Sequence, residues 1–562
     1  MNIDCLFKPR EQISLESYLN KMGIEDTKEY LSPTGLALED PFSYTNMHEA
    51  IESFKLHYEN LDKTYILCDS SDLDGYSSTI SLISYMHLLN PSWDIEILLH
   101  PDKTRGLQDP TVMDKIIRFP RPFLVIPDAG TNDREQTKTL KSAFNIDILV
   151  LDHHSLSTPI EDGILINNQV GNVDKFGSGG VVTHIFMRAL DIELGVNYSG
   201  RFIDLISLSV LSDGMDVKSL QNRTYLYYGI FNKDKINNPL LLQFFEDYIG
   251  DKVYNQKDIL FSVVPKVNSV GRSDGYELKE QMVKGFLGFN VEEASKMCGE
   301  KHKEQIEAVN GFIENNIDKI DDNNKVILFA SEDVHRTYSG LLAGKIKDKF
   351  GNKPTIIGHI EDGVMTGSLR SDIPLRTILD ECKYTLWAQG HEGQCGVSIN
   401  EDNISNLIEY LNSIDLPKPS NQVVVKSLSA KSIKDEYFNL FNGYEELWNS
   451  NSLPKPIFHI KNITINTKDI NIIGRNKRTL KFRFNGVDYI IFNSLKEDKE
   501  SLLLGYYNDK DKFIEDNKNE KINLEILGYL STNEWNGKIT NQVIIEKYEI
   551  VENKKVSIDD IF

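Results

Sequence analysis

The sequence predicts a mixed α/β chain: a doubly wound parallel sheet, a helical stretch, a second α/β unit, and a small β-barrel at the end. Three observations carry this. Between residues 61 and 215, the apolar runs Thr64–Cys68, Ile95–Leu99, Phe123–Ile126 and Ile148–Leu151 alternate with helical stretches, as in βα units of a parallel sheet. The alternation resumes at about 325–415. From about 455 the pattern changes to short strands punctuated by turns.

Taken in order, residues 1–60 mix short helical patterns with breakers such as Ser32-Pro33-Thr34-Gly35 and Asp40-Pro41, and are expected to pack on the core at 61–215. Residues 216–322 read as a helical connector. Within it Glu277–Ile320, rich in Lys, Glu, Ala and Met with few breakers, suits one long helix. In the unit at 323–415 the expected elements are strand Val326–Phe329, a helix near Ser339–Phe350, strand Pro354–Gly358 and the run Gly363–Ser371. Residues 416–454 read as a linker, 455–552 as the barrel and 553–562 as a charged tail. A chain of 562 residues exceeds one core, and a prior of roughly 150 residues per domain gives about three or four.

A formal charge of −22 argues against a general nucleic-acid coat and against binding to an anionic membrane, while leaving room for a local basic groove. The five cysteines, Cys5, Cys68, Cys298, Cys382 and Cys395, lack Cys-x-x-Cys spacing and read as reduced intracellular thiols. There is no apolar amino-terminal core and no run of about 18 apolar residues. A soluble, cytoplasmic, monomeric protein is expected.

The chemistry lies at the ends of the predicted strands, where open α/β sheets place ligands. Thr64–Cys68 runs into Asp69-Ser70-Ser71-Asp72-Leu73-Asp74-Gly75, and Asp72 and Asp74 can turn two carboxylates toward one point. Phe123–Ile126 runs into Pro127-Asp128-Ala129-Gly130. Ile148–Leu151 runs into Asp152-His153-His154, and Leu208-Ser209-Val210-Leu211 into Ser212-Asp213-Gly214. Singly, each has a plainer explanation: an Asx turn, a tight turn, or a polar strand end. Four in succession point to a metal site. Oxygen and imidazole donors without thiolates suit Mn²⁺ or Mg²⁺ better than structural zinc. A carboxylate shared by two ions would set them about 3.5–4 Å apart, as in phosphate-ester hydrolysis.

On these residues the chain resembles the DHH phosphoesterase superfamily, named for the triplet found here as Asp152-His153-His154. The resemblance implies two divalent ions held by Asp72, Asp74, Asp128, His153 and Asp213, with Asp128 bridging. It implies that Asp152 orients His153 and that His154 faces the substrate phosphate. One departure is clear. Ser70 stands where the nuclease branch often carries an acid, with Asp69 one position out of register, which implies that one ion is held more weakly or through water.

Three later stretches are similar to the RecJ-like single-strand exonucleases of that superfamily. They are Asn268-Ser269-Val270-Gly271-Arg272, Gly367-Ser368-Leu369-Arg370-Ser371 and Gln389-Gly390-His391-Glu392-Gly393-Gln394-Cys395-Gly396. The second and third resemble the accessory, DHHA1-type domain, and Asn533-Glu534-Trp535-Asn536-Gly537-Lys538 resembles the end of the OB-like domain. By resemblance, Arg272, Ser368 and Arg370 bind a 5′-terminal phosphate, with Gly390 and His391 lining the cleft. An interdomain salt bridge is the plainer role for the two arginines. Arg475, Lys477, Arg478, Lys481 and Arg483 concentrate positive charge on a predicted strand whose Leu480, Phe482 and Phe484 face inward, a suitable track for single-stranded nucleic acid.

The function implied is a 5′-to-3′ exonuclease for single-stranded DNA in recombination, repair or replication. A single-strand-binding protein or helicase is the implied partner, and Ile558–Phe562 a candidate docking tip beside the plainer reading of a fraying terminus. Rich Lys, Asn and Ile usage fits an AT-rich genome such as a phage's, acting in its host's cytoplasm. The alternatives are a phosphodiesterase for short oligonucleotides or cyclic dinucleotides, against which the barrel argues, and a replication scaffold that has lost its ligands, against which the retained acids argue.

Overall fold

Five strands form the first sheet in the computed structural model, which describes residues 3–551 except 103, 232, 251–254, 419–421, 449–451, 509–511, 517–518 and 536. The strands are β1 (Thr64–Leu67), β2 (Ile95–Leu98), β3 (Phe123–Pro127), β4 (Asp147–Asp152) and β5 (Ile164–Asn167). All pairings are parallel and the spatial order is β2-β1-β3-β4-β5. Alternate residues serve the two faces. Ile66, Phe123, Val125, Leu149 and Leu151 pack on one side, while Leu67, Leu124, Ile126, Ile148 and Val150 pack on the other. Burial on both faces explains why β1, β3 and β4 read as continuous apolar runs, while β2, at the sheet edge, keeps Glu96 exposed.

The first face carries α1 (Leu73–Leu89), α4 (Gly179–Leu194) and α5 (Ile203–Ser212); the second carries α2 (Pro110–Ile117) and α3 (Arg134–Phe144). The chain leaves β1 for β2 on one side and then crosses to β3 on the other. The loops after β1 and β3 therefore diverge at a topological switch point, where such sheets open a crevice.

Leu208–Leu211, read from sequence as strand-like, belongs to α5, so Asp213 caps a helix rather than ending a strand. A four-residue apolar run does not distinguish the two by periodicity. The connector includes α6 (Val264–Gly271), α7 (Glu277–Phe286) and α8 (Val291–Asn316). Glu277–Ile320 is thus not one helix: Gly288 and Asn290 both take positive φ and turn the chain between α7 and α8.

The second α/β unit contains β6 (Ile327–Ser331), α9 (Ser339–Lys349), β7 (Thr355–Glu361), β8 (Val364–Arg370), β9 (Trp387–His391) and β10 (Gln394–Asn400), in the order β9-β10-β8-β7-β6. The strand-rich end is a seven-stranded sheet. Its members are β11 (Ser427–Ser429), β12 (Phe458–Asn466), β13 (Asn471–Ile473), β14 (Thr479–Phe484), β15 (Val487–Ile491), β16 (Lys521–Trp535) and β17 (Lys538–Ile550), ordered β11-β12-β16-β17-β15-β14-β13.

Residues 416–454 are more than a spacer. Gln422–Val424 pairs with Ile3–Cys5, β11 joins the last sheet, and Phe441 and Trp448 pack their rings on Tyr18 at centroid distances of 5.2 and 6.1 Å. The tail 553–562, with its docking tip, lies outside the described residues. Among the described residues no helix is long and apolar enough to cross a membrane.

One buried histidine ties core stability to pH. His184 on α4 is 1% exposed, with Nδ1 3.0 Å from the Tyr225 hydroxyl and Nε2 3.1 Å from the Ser199 carbonyl. Burial, helped by Arg188, pushes its pKa down to about 3. The unfolded chain takes up this proton near pH 6.5 and the folded chain does not. Stability from this group is therefore complete above pH 6.5 and declines as pH falls toward 3. At pH 5 the loss is about 2 kcal/mol. The urea midpoint of His184→Gln is expected to fall less steeply between pH 6.5 and 5 than that of the wild type; equal slopes would refute the assignment.

Candidate metal centre

The site is assembled from the loops at the switch point and the start of α4. Asp72 caps α1, and Asp74 lies in its first turn. Gly75 permits the loop to fold back, since a Cβ there would lie 2.0 Å from the Asp69 carbonyl oxygen. The Asp74 carboxylate accepts the N–H groups of Gly179 and Gly180, each at 2.9 Å, at the amino-terminal end of α4. Asp128 follows β3 in the left-handed region, φ 62°, with its N–H donated to the Leu151 carbonyl at 2.8 Å. Gly179 makes room for it: a Cβ at that position would stand 2.2 Å from Asp128 Oδ1.

Three carboxylates surround one imidazole. His153 Nε2 lies 3.3 Å from Asp128 Oδ1, 3.5 Å from Asp213 Oδ2 and 3.8 Å from Asp74 Oδ2. Ligand atoms of Asp74, His153 and Asp213 fall within 4.8 Å of one another, as do those of Asp128, Asp152, His153 and His154. His153 belongs to both groups. Burial, then the charge of Asp74, pushes the carboxyls of Asp128 and Asp213 well above the usual range. Asp128 Oδ1 is buried without a hydrogen-bond partner. Packed acids with an orphaned oxygen and a neighbouring imidazole are what a divalent cation resolves, so the residues fit such ions.

Asp152 supports the two histidines. Its Oδ1 accepts the N–H groups of His153 at 2.7 Å and His154 at 3.2 Å and lies 2.7 Å from His154 Nδ1, while Oδ2 accepts the Thr131 N–H at 3.1 Å. The ring of His154 is thereby fixed with Nε2 outward.

Asp72 is held differently from the other expected ligands. Its Oδ2 pairs with Arg105 Nη2 at 2.5 Å. The same guanidinium reaches Asp69 Oδ2 through Nε at 3.2 Å, donates to Ser71 Oγ at 3.1 Å, and lies 3.2 Å from His154 Nε2. Ser70, at the departing position, accepts the His100 N–H at 3.2 Å. Arg105 was not foreseen; neither were Gly179 and Gly180, although Gly177-Ser178-Gly179-Gly180 ahead of an apolar helix is a legible anion-cradle pattern. The connector braces the loops after β1 and β2. Asn268 Oδ1 accepts the Leu73 N–H at 3.0 Å, a Cβ at Gly271 would lie 2.7 Å from the Ser71 carbonyl oxygen, and Lys279 donates to the His100 and Asp102 carbonyls at 3.0 and 2.6 Å.

A second group lies in the second α/β unit and the connector. The Ser368 and Ser339 hydroxyls are 3.0 Å apart at the start of α9, and a Cβ on Gly340 would stand 2.6 Å from Arg370 Nη2. Arg272 feels both the attraction of Asp72 and the repulsion of Arg370. Burial pushes both guanidiniums down. Among the described residues neither forms a carboxylate ion pair, so the salt bridge considered from sequence is not made. A cavity of about 530 Å³ separates Asp102, Thr104 and Asp274 from Asp333, His335, Thr337 and His359 of the second unit. His391 and Gly390 are exposed on β9, and Gly390 takes φ 126°; among the described residues no contact brings either to the acidic cluster.

In the last sheet, Arg475, Lys477 and Arg478 are exposed in the turn before β14, while Leu480 and Phe482 point inward. Lys481 and Arg483 are partly neutralised by Asp488, at 2.8 and 3.8 Å. The Trp535 side chain lies outside the description.

Comparison with known proteins follows the same division of the chain. Residues 63–208 match the DHH family, N-terminal domain, and residues 451–547 match the RecJ OB domain. The chain is 24% identical to an SPbeta prophage-derived protein of Bacillus subtilis (strain 168) named as a single-strand DNA-specific exonuclease, YorK, over 96% of each chain. It is 22% identical to the single-stranded-DNA-specific exonuclease RecJ of the same organism, over 94% of this chain and 66% of the other. RecJ of Thermus thermophilus, solved in complex with Mn²⁺, matches with a TM-score of 0.71 at 17% identity, over 93% of this chain and 74% of that one, a likeness of fold. Family matches at 63–208 and 451–547, with relatives aligned along nearly all of the chain, agree with the geometry: the chain is similar to the RecJ-like branch of the DHH superfamily.

Proposed function

We propose that the protein is an exonuclease that hydrolyses single-stranded DNA from the 5′ end with two divalent ions, Mn²⁺ or Mg²⁺. The observation that carries this reading is the acidic cluster around His153, whose packed carboxylates call for divalent ions. The arginine pair Arg272 and Arg370, which forms no carboxylate ion pair within 4 Å among the described residues, supports it as the phosphate-binding group.

Asp74, Asp128, His153 and Asp213 would hold the ions, with Asp72 joining when it leaves Arg105. Bound there, divalent ions polarise a phosphate ester and lower the pKa of water toward neutrality. Asp152 fixes the ring of His154 so that Nε2, with Arg105, faces the scissile phosphate. Arg272, Arg370 and the Ser368 hydroxyl take the terminal phosphate dianion, which suits guanidinium forks beside a helix amino terminus. Gly390 and His391 border the substrate cleft, which excludes a duplex by its width. Arg475, Lys477 and Arg478 guide the incoming strand, and Lys481 and Arg483 contribute less because Asp488 already partners them. Recombination, repair or replication in the cytoplasm is the setting, with a monomer working beside a single-strand-binding protein or helicase.

The test is a digest of 5′- and 3′-labelled single strands and duplexes with Mn²⁺, Mg²⁺ or a chelator. Early release of the 5′ label from single strands, dependent on added ion and on a 5′ phosphate, is expected. Early release of the 3′ label, or equal degradation of duplex, would sink the proposed polarity or strand preference.

A further inference from the structure

The register of the second unit's sheet places one more feature beside the arginines. Residues directly opposite across an antiparallel pair share a face. Arg370 lies opposite Gln394, which lies opposite His391; Ser368 lies opposite Gly396, which lies opposite Gln389; Thr366 lies opposite Ser398, which lies opposite Trp387. The phosphate candidates Ser368 and Arg370 therefore share one face with Trp387, Gln389 and His391. The opposite face, with Leu369, Cys395, Val397 and Ala388, is the buried core of this unit.

Helix α9 covers only part of the shared face. Its Leu342, Ala343 and Ile346 pack on Ile357 and Ile327, and its first residue, Ser339, meets Ser368. The β10 and β9 side stays open. Its largest group is Trp387 on the edge strand, 37% exposed, with no ring or cation contact among the described residues. The indole is nevertheless seated. Its six-membered ring lies against Gly396, where a Cβ would come within 3.1 Å of Cζ3. Gly396 is the residue opposite Ser368, so the ring is one strand from the phosphate candidates. The face also looks toward the first unit and the connector, because His359, opposite Thr366 on this face, lines the cavity whose other wall is Asp102, Thr104 and Asp274.

An exposed indole held on a glycine seat next to an anion site suits a flat aromatic group carried on a phosphate, and every nucleobase offers such a face. The geometry points to Trp387 as the stacking platform for the 5′-terminal base of the DNA strand, positioning it while Ser368 and Arg370 hold the phosphate. This inference rests on the exonuclease reading above. It makes Trp387 a positioning residue that raises affinity for any sequence, since stacking is tolerant of base identity.

The test compares wild type, Trp387→Ala and Trp387→Phe on 5′-phosphorylated single strands whose terminal nucleotide is intact or abasic. Trp387→Ala is expected to raise KM about 10-fold and to leave kcat within about twofold, with Trp387→Phe restoring most of the loss. The abasic end should cost the wild type a similar factor and cost Trp387→Ala nothing further. The abasic comparison on unmutated protein is independent of any folding defect. An unchanged KM in Trp387→Ala, or an abasic penalty equally large in that variant, overturns the platform alone. A wild type that neither binds nor degrades the intact strand overturns the exonuclease reading, and this inference with it.

Discussion

Asp128→Asn is expected to lose activity on single-stranded DNA by about 10³-fold or more while making the ion-free protein more stable. The two effects have one cause. Asp128 is 2% exposed, its Oδ1 lacks a hydrogen-bond partner, and Asp74 is its strongest like-charged neighbour. An ionised carboxylate in that position costs free energy until a cation neutralises it. Asparagine keeps the shape and tolerates the left-handed φ of 62°, where alanine would add strain. It removes the charge, and about 1–2 kcal/mol of repulsion should be relieved. In thermal unfolding the variant should therefore melt above the wild type in chelator, and Mn²⁺ should raise its Tm less. His153→Ala should abolish activity as well, because the imidazole belongs to both groups of ligand atoms. Retained Mn²⁺-dependent degradation in either variant would refute the assignment of the centre.

The parts of this architecture legible in the sequence are those set by local pattern. Three of the four core runs become β1, β3 and β4 because a strand buried on both faces needs an unbroken apolar stretch, while β2 is legible at the sheet edge despite its exposed Glu96. The acids after β1, β3 and β4 are legible because a sheet's carboxyl edge collects them. Asp213 comes from a different kind of element, a helix end, yet its carboxylate still comes within 3.5 Å of His153 Nε2. What the sequence hides is contact across distance. Arg105 lies 33 residues from Asp72 and 49 from His154, and nothing in Thr104-Arg105-Gly106 announces a partner. Lys279, 179 residues from His100, reads as one more lysine of an amphipathic helix, yet it is fully buried against two carbonyls. The Trp387 seat depends on strand register, which no single segment encodes.

Arg105→Ala is expected to cost both stability and activity, and a second substitution should separate the two. Asp69 is fully buried and its Oδ2 faces Arg105 Nε at 3.2 Å. Removing the guanidinium leaves a buried carboxylate without its cation. Breaking a fully buried pair costs about 3–5 kcal/mol, and because the Arg105 side chain is 44% exposed about 2 kcal/mol is expected here. The same change takes the guanidinium away from Asp72 and removes the contact to His154 Nε2, so the groups proposed to face the substrate phosphate lose their placement. A loss of about 100-fold in activity is expected, the scale seen when residues that orient ligands are removed. Arg105→Lys should recover little, since one ammonium cannot span Asp69, Asp72 and His154 together. In the double variant Asp69→Asn with Arg105→Ala, the buried charge is gone, and the urea midpoint should return most of the way to wild type while activity stays low. That split follows from the two carboxylates needing Arg105 for different reasons: Asp69 to be tolerated in the core, Asp72 to be held until an ion draws it away. If the double variant is no more stable than Arg105→Ala, Asp69 does not depend on the guanidinium. If instead activity returns with stability, the arginine acts only on folding and has no part in placing the phosphate.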